Sequence, residues 1–304
     1  MKTGDFRGFE VRLEEPGIVW ITFNEPGRLN GMTVPMKRDL IEILAQAEMD
    51  DAVRVIVFIG SGRAFSAGDD ISGRAAHAAA AAPLTPAIAE GFSRARHHRL
   101  GVYAGLRTHS QRLNLALREM DKLTIAAING YAIQTGLSLA LCCDFRIAST
   151  EARLGSATLR FGLMPDEGGH ALLVQLIGVA RAMDFLMRKR IVSAEEALAL
   201  GLVHEVLPPA ELSARALALA RELAEGPQVA MRLLKRAIYQ AAELTFAQAL
   251  EDIAARTAVS DPEPDAREGI AAWREKRPPR FNAWLEGPGG ETENTAGRGV
   301  RGEA

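Results

Sequence analysis

The chain has 304 residues, 48% of them hydrophobic, so it can bury a large core and is not a wholly disordered protein. Its 36 basic and 38 acidic side chains leave a net charge of −2, which argues against nucleic acid or an anionic membrane as the main partner. No stretch approaches the roughly 20 apolar residues that span a membrane, and the N-terminus lacks the apolar core of a signal peptide. The only cysteines, Cys142 and Cys143, are adjacent, which predicts neither a disulfide nor a zinc site and favours the cytoplasm.

The first third of the chain has the pattern of strands alternating with a helix. Residues 9–26 predict two short strands with a turn at "EPG" between them. Apolar residues at helical spacing predict a helix over 35–51, and the β-branched run at 53–62, stopped by glycines, is typical of a buried strand. An alanine-rich stretch broken by prolines then predicts a helical insertion at about 74–110.

The remainder changes from strands to helices. Residues 123–133 predict another buried strand, 136–143 a short apolar helix, and "DFRIAST" and "ARLGS" two short strands. Beyond Gly168 the pattern is helical apart from a last strand at 204–208, with helices at 209–225, 227–243, about 245–260 and 267–276. The layout predicts an α/β core over 1–205, a helical C-terminal region over 206–285 and a disordered, glycine-rich tail over 286–304.

Two segments share one design, a buried strand followed by a tight glycine turn and a helix. They are "RAFSAGDDISG" (63–73) and "AAINGYAIQTGLSLALCCDFRIAS" (126–149). Glycine lets the backbone approach a ligand closely, and a helix start leaves N–H groups without partners. Two such groups that meet at one point would bind an oxyanion, although either turn alone is better explained as a simple reversal of the chain.

Taken together, these segments resemble the crotonase (enoyl-CoA hydratase/isomerase) family over about residues 9–282. The resemblance also includes "NEPGRLNGMT", "GLMPDEGG" and "SAEEALALGLVHEVLP". It implies a ββα superhelical core that binds acyl-CoA thioesters, without a cofactor beyond the coenzyme A of the substrate. It further implies a homotrimer or a hexamer built as a dimer of trimers, in which the C-terminal helices cover the site or make trimer contacts.

In this family the thioester carbonyl accepts hydrogen bonds from two backbone N–H groups. By motif position these belong to Asp69 and to Thr135, and Thr135 replaces the glycine that is usual there. The resemblance also assigns five residues to substrate or coenzyme A binding: Arg28, Ala67, Gly68, Asp70 and Gly136. The alternatives are that Asp70 caps the next helix and that Arg28 is an ordinary exposed arginine.

The two glutamates with which hydratases of the family activate water are absent. Their positions hold Ser138 and Thr158, and an unactivated hydroxyl does not ionise at neutral pH. The resemblance instead directs attention to "MPDEGGH", because isomerases of the family carry an aspartate at the position of Asp166. Spacing alone favours Asp166 as a helix N-cap, with Glu167 either a second acid or a solvent-exposed residue at the helix start.

The sequence therefore favours double-bond isomerisation of an unsaturated acyl-CoA through a thioester enolate, with Asp166 as proton shuttle and Glu167 as a second candidate acid. One alternative is an enoyl-CoA hydratase, a lyase, whose acids have been relocated. Another is a homologue that binds acyl-CoA without catalysis. No set of His, Cys, Asp and Glu residues has the spacing of metal ligands.

Overall fold

The computed structural model describes residues 1–70 and 99–286. Its strands lie mainly in the first 207 residues and its long helices follow: β1 (Gly4–Phe6), β2 (Phe9–Glu14), β3 (Ile18–Phe23), α1 (Val34–Met49), β4 (Val55–Gly60), β5 (Ala64–Ser66), α2 (Arg99–Gly105), α3 (Gln111–Arg118), β6 (Leu123–Ile128), β7 (Tyr131–Ile133), α4 (Thr135–Cys142), β8 (Phe145–Ser149), β9 (Arg153–Gly155), α5 (Gly169–Met187), β10 (Ile191–Ser193), α6 (Ala194–Leu200), β11 (Glu205–Leu207), α7 (Pro209–Glu225), α8 (Gln228–Ala241), α9 (Phe246–Ser260) and α10 (Pro264–Glu275). The predicted α/β fold class is confirmed.

Within the described residues the strands form two sheets. The larger has the order β1-β2-β3-β4-β6-β8-β11, and the smaller has the order β10-β9-β7-β5. Strands β3, β4, β6, β8 and β11 pair in parallel, and β3, β4 and β6 are almost continuously apolar and buried, as expected for strands covered on both faces. The predicted strands are confirmed, except that residues 123–133 are not one strand: they divide at Asn129 and Gly130 into β6 of the larger sheet and β7 of the smaller sheet. No sequence pattern indicates the three-residue strands β1 and β5.

The core lies between the sheets and helices α1, α3 and α4. Phe9, Phe23, Phe58 and Phe65 are at most 1% exposed, and Phe23 meets Phe65 edge to face with ring centroids 5.3 Å apart. Helix α4 is buried along its whole length because it runs through this core. Its first residue is thereby fixed against the end of β5, where the two glycine turns meet.

Helix α5 is the exception to the expectation that no segment is apolar enough to span a membrane. By length and composition it passes that test, as the core helices of soluble proteins also do. Gly178, however, has φ 77° and ψ 163°, so the helix is broken at its middle. Each half has about nine residues, or about 14 Å, roughly half the thickness of the hydrocarbon layer.

The chain divides into two compact units, residues 1–224 and 225 onwards. Helix α7 belongs almost entirely to the first unit, whereas the predicted C-terminal region begins at residue 206. The second unit contains α8, α9 and α10, and α9 begins with a capping box in which Thr245 and Gln248 hold each other's backbone N–H. The predicted C-terminal helices are confirmed. Residues 74–98 of the predicted insertion and 287–304 of the predicted tail lie outside the described residues, whereas 99–110 of the insertion are helical, as predicted.

Candidate active site

The first glycine turn follows strand β5. The hydroxyl of Ser66 donates to the carbonyl of Asn30 (2.8 Å) and accepts from the N–H of Gly68 (3.3 Å). Gly68 has φ 99°, a left-handed conformation that favours glycine. A parallel bridge to Met32 then holds the chain, since Met32 N–H donates to the Gly68 carbonyl and Asp70 N–H donates to the Met32 carbonyl. The turn is therefore fixed on both sides of Asp69.

The second turn joins β7 to α4. Gln134 is its N-cap residue, with φ 47° and ψ −105°, and its N–H donates to the Gly155 carbonyl (2.9 Å). The next two residues open the helix, and Gly136 lies so close to the Ser66 carbonyl that an added Cβ would overlap it. On the other side, a Cβ added to Gly68 would lie 3.7 Å from the nitrogen of Thr135. The two predicted turns are thus in direct contact.

Their contact brings two backbone donors together. Within residues 1–70 and 99–286, the N–H groups of Asp69 and Thr135 have no hydrogen-bond acceptor, whereas those of Gly68, Asp70 and Gln134 all do. Unsatisfied N–H groups at a helix start and at a glycine turn are suited to bind an oxygen that gains negative charge.

The acidic segment "PDEGG" lies beside the second turn and is held by two side chains of α3. The side-chain amide of Gln111 donates to the Asp166 carbonyl (2.9 Å), and that of Asn114 donates to the Glu167 carbonyl (2.8 Å). Helix α5 begins only at Gly169, with Gly168 as N-cap at φ 93° and without a side-chain cap. The alternative in which Asp166 caps this helix is therefore wrong. The carboxyl group of Asp166 is half-buried instead.

Glu167 does not extend into solvent, as one interpretation of the sequence predicts. It is 4% exposed, and both of its carboxyl oxygens have partners from the second turn. The amide of Gln134 donates to Oε2 at 2.7 Å, and the hydroxyl of Thr135 lies 2.5 Å from Oε1. The same hydroxyl lies 2.7 Å from Oδ1 of Asp69. Glu167 is therefore connected to the first turn through Thr135.

A buried lysine completes this cluster. Lys37 on α1 is 1% exposed, and its ammonium lies 2.6 Å from Asp69 Oδ1 and 2.7 Å from the hydroxyl of Ser110. Ser110 ends a single π-helical turn, Leu106–Ser110, a deviation from α-helix that is frequent at functional sites. Asp69 itself has a side chain that is 48% exposed, so it joins the buried cluster to the surface.

The environment alters the acidity of both acids in "PDEGG". Burial raises the pKa of Asp166, and the charge of Asp69 raises it further; a backbone hydrogen bond, Lys37 and hydrogen bonding with Glu167 act in the opposite direction. Burial likewise raises the pKa of Glu167; hydrogen bonding with Thr135 and Gln134 lowers it, the charges of Asp166 and Asp69 raise it, and the net change is upward. Raised carboxyl pKa values are typical of groups that move protons near neutral pH.

The positions that hold glutamates in hydratases have structural roles here. Ser138 is 2% exposed and packs so closely on α5 that a Cβ on Gly169 would overlap its hydroxyl. The hydroxyl of Thr158 donates to the side-chain oxygen of Gln134 (3.2 Å). Neither position supplies an acid.

All five residues assigned to substrate binding contact other parts of the protein. The guanidinium of Arg28 forms ion pairs with Asp70 and with Glu25, the latter at 3.3 Å, and so Arg28 is not an isolated surface cation. The N–H of Ala67 donates to the Leu29 carbonyl, and Gly68 and Gly136 shape the two turns. Their binding of coenzyme A stays a prediction.

Two residues of the cluster, Lys37 and Gln134, are not among those predicted from the sequence. A signal for Lys37 exists, because it lies three and four residues before Leu40 and Ile41 and so falls on the apolar stripe of α1. No sequence signal identifies Gln134, whose role follows from a left-handed conformation that is uncommon outside glycine. In the part of the chain that the structure describes, no group of three His, Cys, Asp or Glu side chains could hold a metal ion.

Comparisons with known proteins agree on one family. The family model described as enoyl-CoA hydratase/isomerase matches residues 14–102 and 89–283. The 1,2-epoxyphenylacetyl-CoA isomerase of Escherichia coli K12 is 34% identical over 273 residues, covering 88% of this chain and 95% of that protein. Bovine enoyl-CoA hydratase domain-containing protein 2 is 36% identical over 273 residues, covering 87% and 84% respectively.

A solved structure gives the same result. The crystal structure of an enoyl-CoA hydratase from Bacillus anthracis has a TM-score of 0.79 and 29% identity, covering 90% of this chain and 98% of that one. Several other relatives of similar identity also have hydratase names.

Proposed function

The chain belongs to the enoyl-CoA hydratase/isomerase family, and from this premise we propose that it isomerises a double bond in an unsaturated acyl-CoA, with Asp166 as the proton shuttle. The comparisons confirm the predicted crotonase membership, and the family's acyl-CoA substrates are consistent with the predicted thioester substrate. The finer assignment concerns which enolate reaction the site performs.

One observation carries the proposal. The two positions that would hold water-activating glutamates contain Ser138, packed on Gly169, and Thr158, which donates to Gln134. Among the described residues, the acid beside the unpartnered N–H groups that is neither deeply buried nor ion-paired is Asp166, and its pKa is raised. A single carboxylate that moves one proton is sufficient for double-bond migration and needs no water molecule.

The mechanism uses each part of this arrangement. The thioester oxygen accepts hydrogen bonds from the N–H groups of Asp69 and Thr135, which form the oxyanion hole. Asp166 removes a proton from one of the α and γ carbons, and the negative charge moves to that oxygen. Protonated Asp166 then returns the proton to the other carbon, so the double bond moves and no atom is gained or lost. Each N–H donor contributes on the order of 10²–10³ in rate.

A relative with an isomerase name supports this choice. The Escherichia coli protein that is 34% identical over nearly the whole chain acts, by its name, on 1,2-epoxyphenylacetyl-CoA. A cyclic unsaturated acyl group is therefore a reasonable first substrate class to test. The hydratase alternative rests on the names of other relatives, such as the bovine protein.

The test uses a 3-enoyl-CoA and a 2-enoyl-CoA in deuterated water, followed by NMR. We expect deuterium at the α or γ carbon, and a loss of about 10²–10⁴-fold in Asp166→Asn. Asp51→Asn is a matched control, because Asp51 is exposed just after the C-terminal end of α1, whereas Lys37 of the site lies near the start of that helix. Water addition at the β carbon would support the hydratase instead. No exchange with any acyl-CoA, and no effect of Asp166→Asn, would support a binding protein without catalysis.

We also propose that the chain acts in the cytoplasm, without a cofactor, as a homotrimer or a hexamer. The exposed apolar side chains of α5 support assembly, since Val179, Met183 and Met187 are 64%, 53% and 56% exposed in the single chain. Analytical ultracentrifugation of the purified protein tests the oligomeric state.

A further inference from the structure

The hydroxyl of Thr135 has more partners than it has protons. Its oxygen lies 2.5 Å from Glu167 Oε1 and 2.7 Å from Asp69 Oδ1, both within the range of an O–H···O hydrogen bond. A hydroxyl carries one proton, and an ionised carboxylate can only accept. If both carboxyl groups were ionised, one of these short contacts would place two oxygen lone pairs against each other. The geometry therefore requires one additional proton on one of the two acids.

The surroundings decide which acid carries it. Asp69 Oδ1 also accepts from the ammonium of Lys37 at 2.6 Å, and Lys37 has only donors to offer, so this oxygen is an acceptor. Thr135 consequently donates to Asp69, and its oxygen must accept a proton from Glu167.

The other oxygen of Glu167 is not the site of the proton. Oε2 accepts from the amide nitrogen of Gln134, whose orientation is fixed because its oxygen accepts from the hydroxyls of Ser156 (2.6 Å) and Thr158 (3.2 Å). The proton is thus assigned to Oε1 of Glu167, which points to Thr135.

Burial and charge agree with this assignment. Glu167 is 4% exposed whereas the side chain of Asp69 is 48% exposed, and burial without a cation disfavours ionisation. The charged groups near Glu167 are Asp166 and Asp69, with Lys37 beyond Asp69. The side chain of Glu167 also hydrogen-bonds with that of Asp166, and its remaining contacts, from Asn114 on α3 and from the second turn, are neutral. Two negative charges and no direct cation among the described residues favour the protonated acid.

We propose that Glu167 and Asp69 share one proton through the hydroxyl of Thr135, and that the buried Glu167 thereby supplies a proton to the exposed Asp69. In the transfer, the Glu167 O–H bond breaks as Thr135 gains that proton, and the Thr135 O–H bond breaks as Asp69 gains the other. The products are an ionised Glu167 and a protonated Asp69, with one proton in the chain throughout. Glu167 is a relay residue rather than a catalytic one, because it acts through Thr135.

The consequence for catalysis rests on the proposed function. Asp69 supplies one of the N–H groups assigned to the substrate oxygen, and its own side chain reaches the surface at the same turn. A proton delivered there would be available to the enolate as a second acid beside Asp166.

The first test measures protonation and not activity. Carbon NMR of the full-length protein, labelled at glutamate and aspartate carboxyl carbons, follows each group over pH. We expect one glutamate resonance to stay protonated at neutral pH and to disappear in Glu167→Gln. A Glu167 that is ionised at neutral pH would overturn the proposal.

The second test asks whether the two acids communicate through Thr135. In Asp69→Asn the new amide can donate to the Thr135 oxygen, and the Thr135 hydroxyl can then donate to Glu167. Glu167 should therefore lose its proton at a lower pH than in the wild type. Part of that change is plain charge removal, which the same substitution still makes when the hydroxyl of Thr135 is absent. In a Thr135→Val background the effect of Asp69→Asn should shrink to that level, and in Thr135→Ser it should persist. Thr135→Ala serves if the valine variant does not fold.

The results separate the relay from the proposed isomerase. An equal effect of Asp69→Asn with and without the hydroxyl would overturn the relay whatever the enzyme does. A coupled, protonated Glu167 in a protein that exchanges no deuterium would retain the relay and remove the isomerase. If both hold, Glu167→Gln should alter the pH profile of exchange, whereas a purely structural role would lower the rate equally at every pH.

Discussion

The two glycine turns of the candidate site have the same design but differ in the side chains beside the glycine. The first turn, at residues 66–70, presents a backbone donor and an aspartate that reaches the surface. The second turn, at 133–136, has polar side chains on Gln134 and Thr135, and both contact the buried carboxyl group of Glu167. One turn thus faces outward and the other inward. The difference indicates that residues larger than glycine are tolerated in the second turn because Glu167 is a hydrogen-bond partner for their side chains.

The largest expected effect breaks the contact between the turns. In Gly136→Ala the new Cβ would overlap the Ser66 carbonyl, a backbone atom that cannot rotate away. We expect a loss of about 3 kcal/mol in the free energy of unfolding, at the upper end of the usual cost of overpacking. Urea denaturation measures it. Gly27→Ala is the matched control, because an added Cβ there meets no atom within 4 Å. Equal stability of the two variants would show that the turns are not in contact.

A smaller loss should result when the inward turn loses its polar contacts. Gln134→Met keeps the length of the side chain and the left-handed backbone but leaves Glu167 Oε2 and the Ser156 hydroxyl without their partner. Unsatisfied buried groups cost about 1–3 kcal/mol each, and partial rearrangement should bring the total to about 2 kcal/mol. The midpoint of thermal unfolding reports it. Gln175→Met, at an exposed position on α5, should change stability by less than about 0.5 kcal/mol. A stable Gln134→Met variant would contradict the inward role of this turn.

The buried acid also predicts a dependence of stability on pH. The pKa of Glu167 is raised above its ordinary value of 4.5, so the folded state keeps a proton that the unfolded chain releases as pH rises through that value. The folded state binds more protons in this window, and its stability therefore falls with increasing pH until the folded-state pKa is passed.

Glu167→Gln removes this dependence. Below about pH 4 we expect the variant and the wild type to differ by a constant amount, since the folded and unfolded forms of the wild type are both protonated there. As pH increases, the stability of the variant relative to the wild type should rise with a slope of at most about 1.4 kcal/mol per pH unit. Denaturation at a series of pH values measures the slope. Glu222→Gln, exposed on α7, should show none of it, and a flat difference for Glu167→Gln would mean that its carboxyl group is not perturbed.

The regular parts of the fold could be predicted because their causes are local. The β-branched runs that form β3, β4 and β6 and the 3.6-residue periodicity of the C-terminal helices are visible within a few residues of sequence. Strand β5 has three residues and exists only because β7 lies beside it, so no local pattern indicates it. The sequence also divides the helical stretch after Gly168 into "GGHALLVQLIG" and "VARAMDFLMRK", and the structure breaks α5 at the glycine between them, Gly178.

The residues of the candidate site could be predicted from the sequence, but the hydrogen bonds and ion pairs between them could not. Asp69, Thr135, Asp166 and Glu167 came from motif resemblance, and the structure brings them together. The burial of Glu167 could not be predicted, because "PDEGG" is locally an ordinary helix start and the groups that bury the acid are 32 and 33 residues away in the chain. Electrostatic pairs between distant elements, such as Lys37 with Asp69, similarly depend on the completed fold.

The smallest expected effect concerns the outward turn and Lys37, the cation that is paired with Asp69. Its ammonium lowers the pKa of Asp166 against the effects of burial and of Asp69, so Lys37→Met should raise that pKa further. If Asp166 is the base, the acid limb of the pH profile for deuterium exchange should move to higher pH, and only slightly, because Lys37 is not the principal influence on Asp166. Lys2→Met, at an exposed position, should leave the limb where it is. An unmoved limb or a shift to lower pH would contradict Asp166 as the base, because the loss of a nearby cation can only disfavour its ionised form.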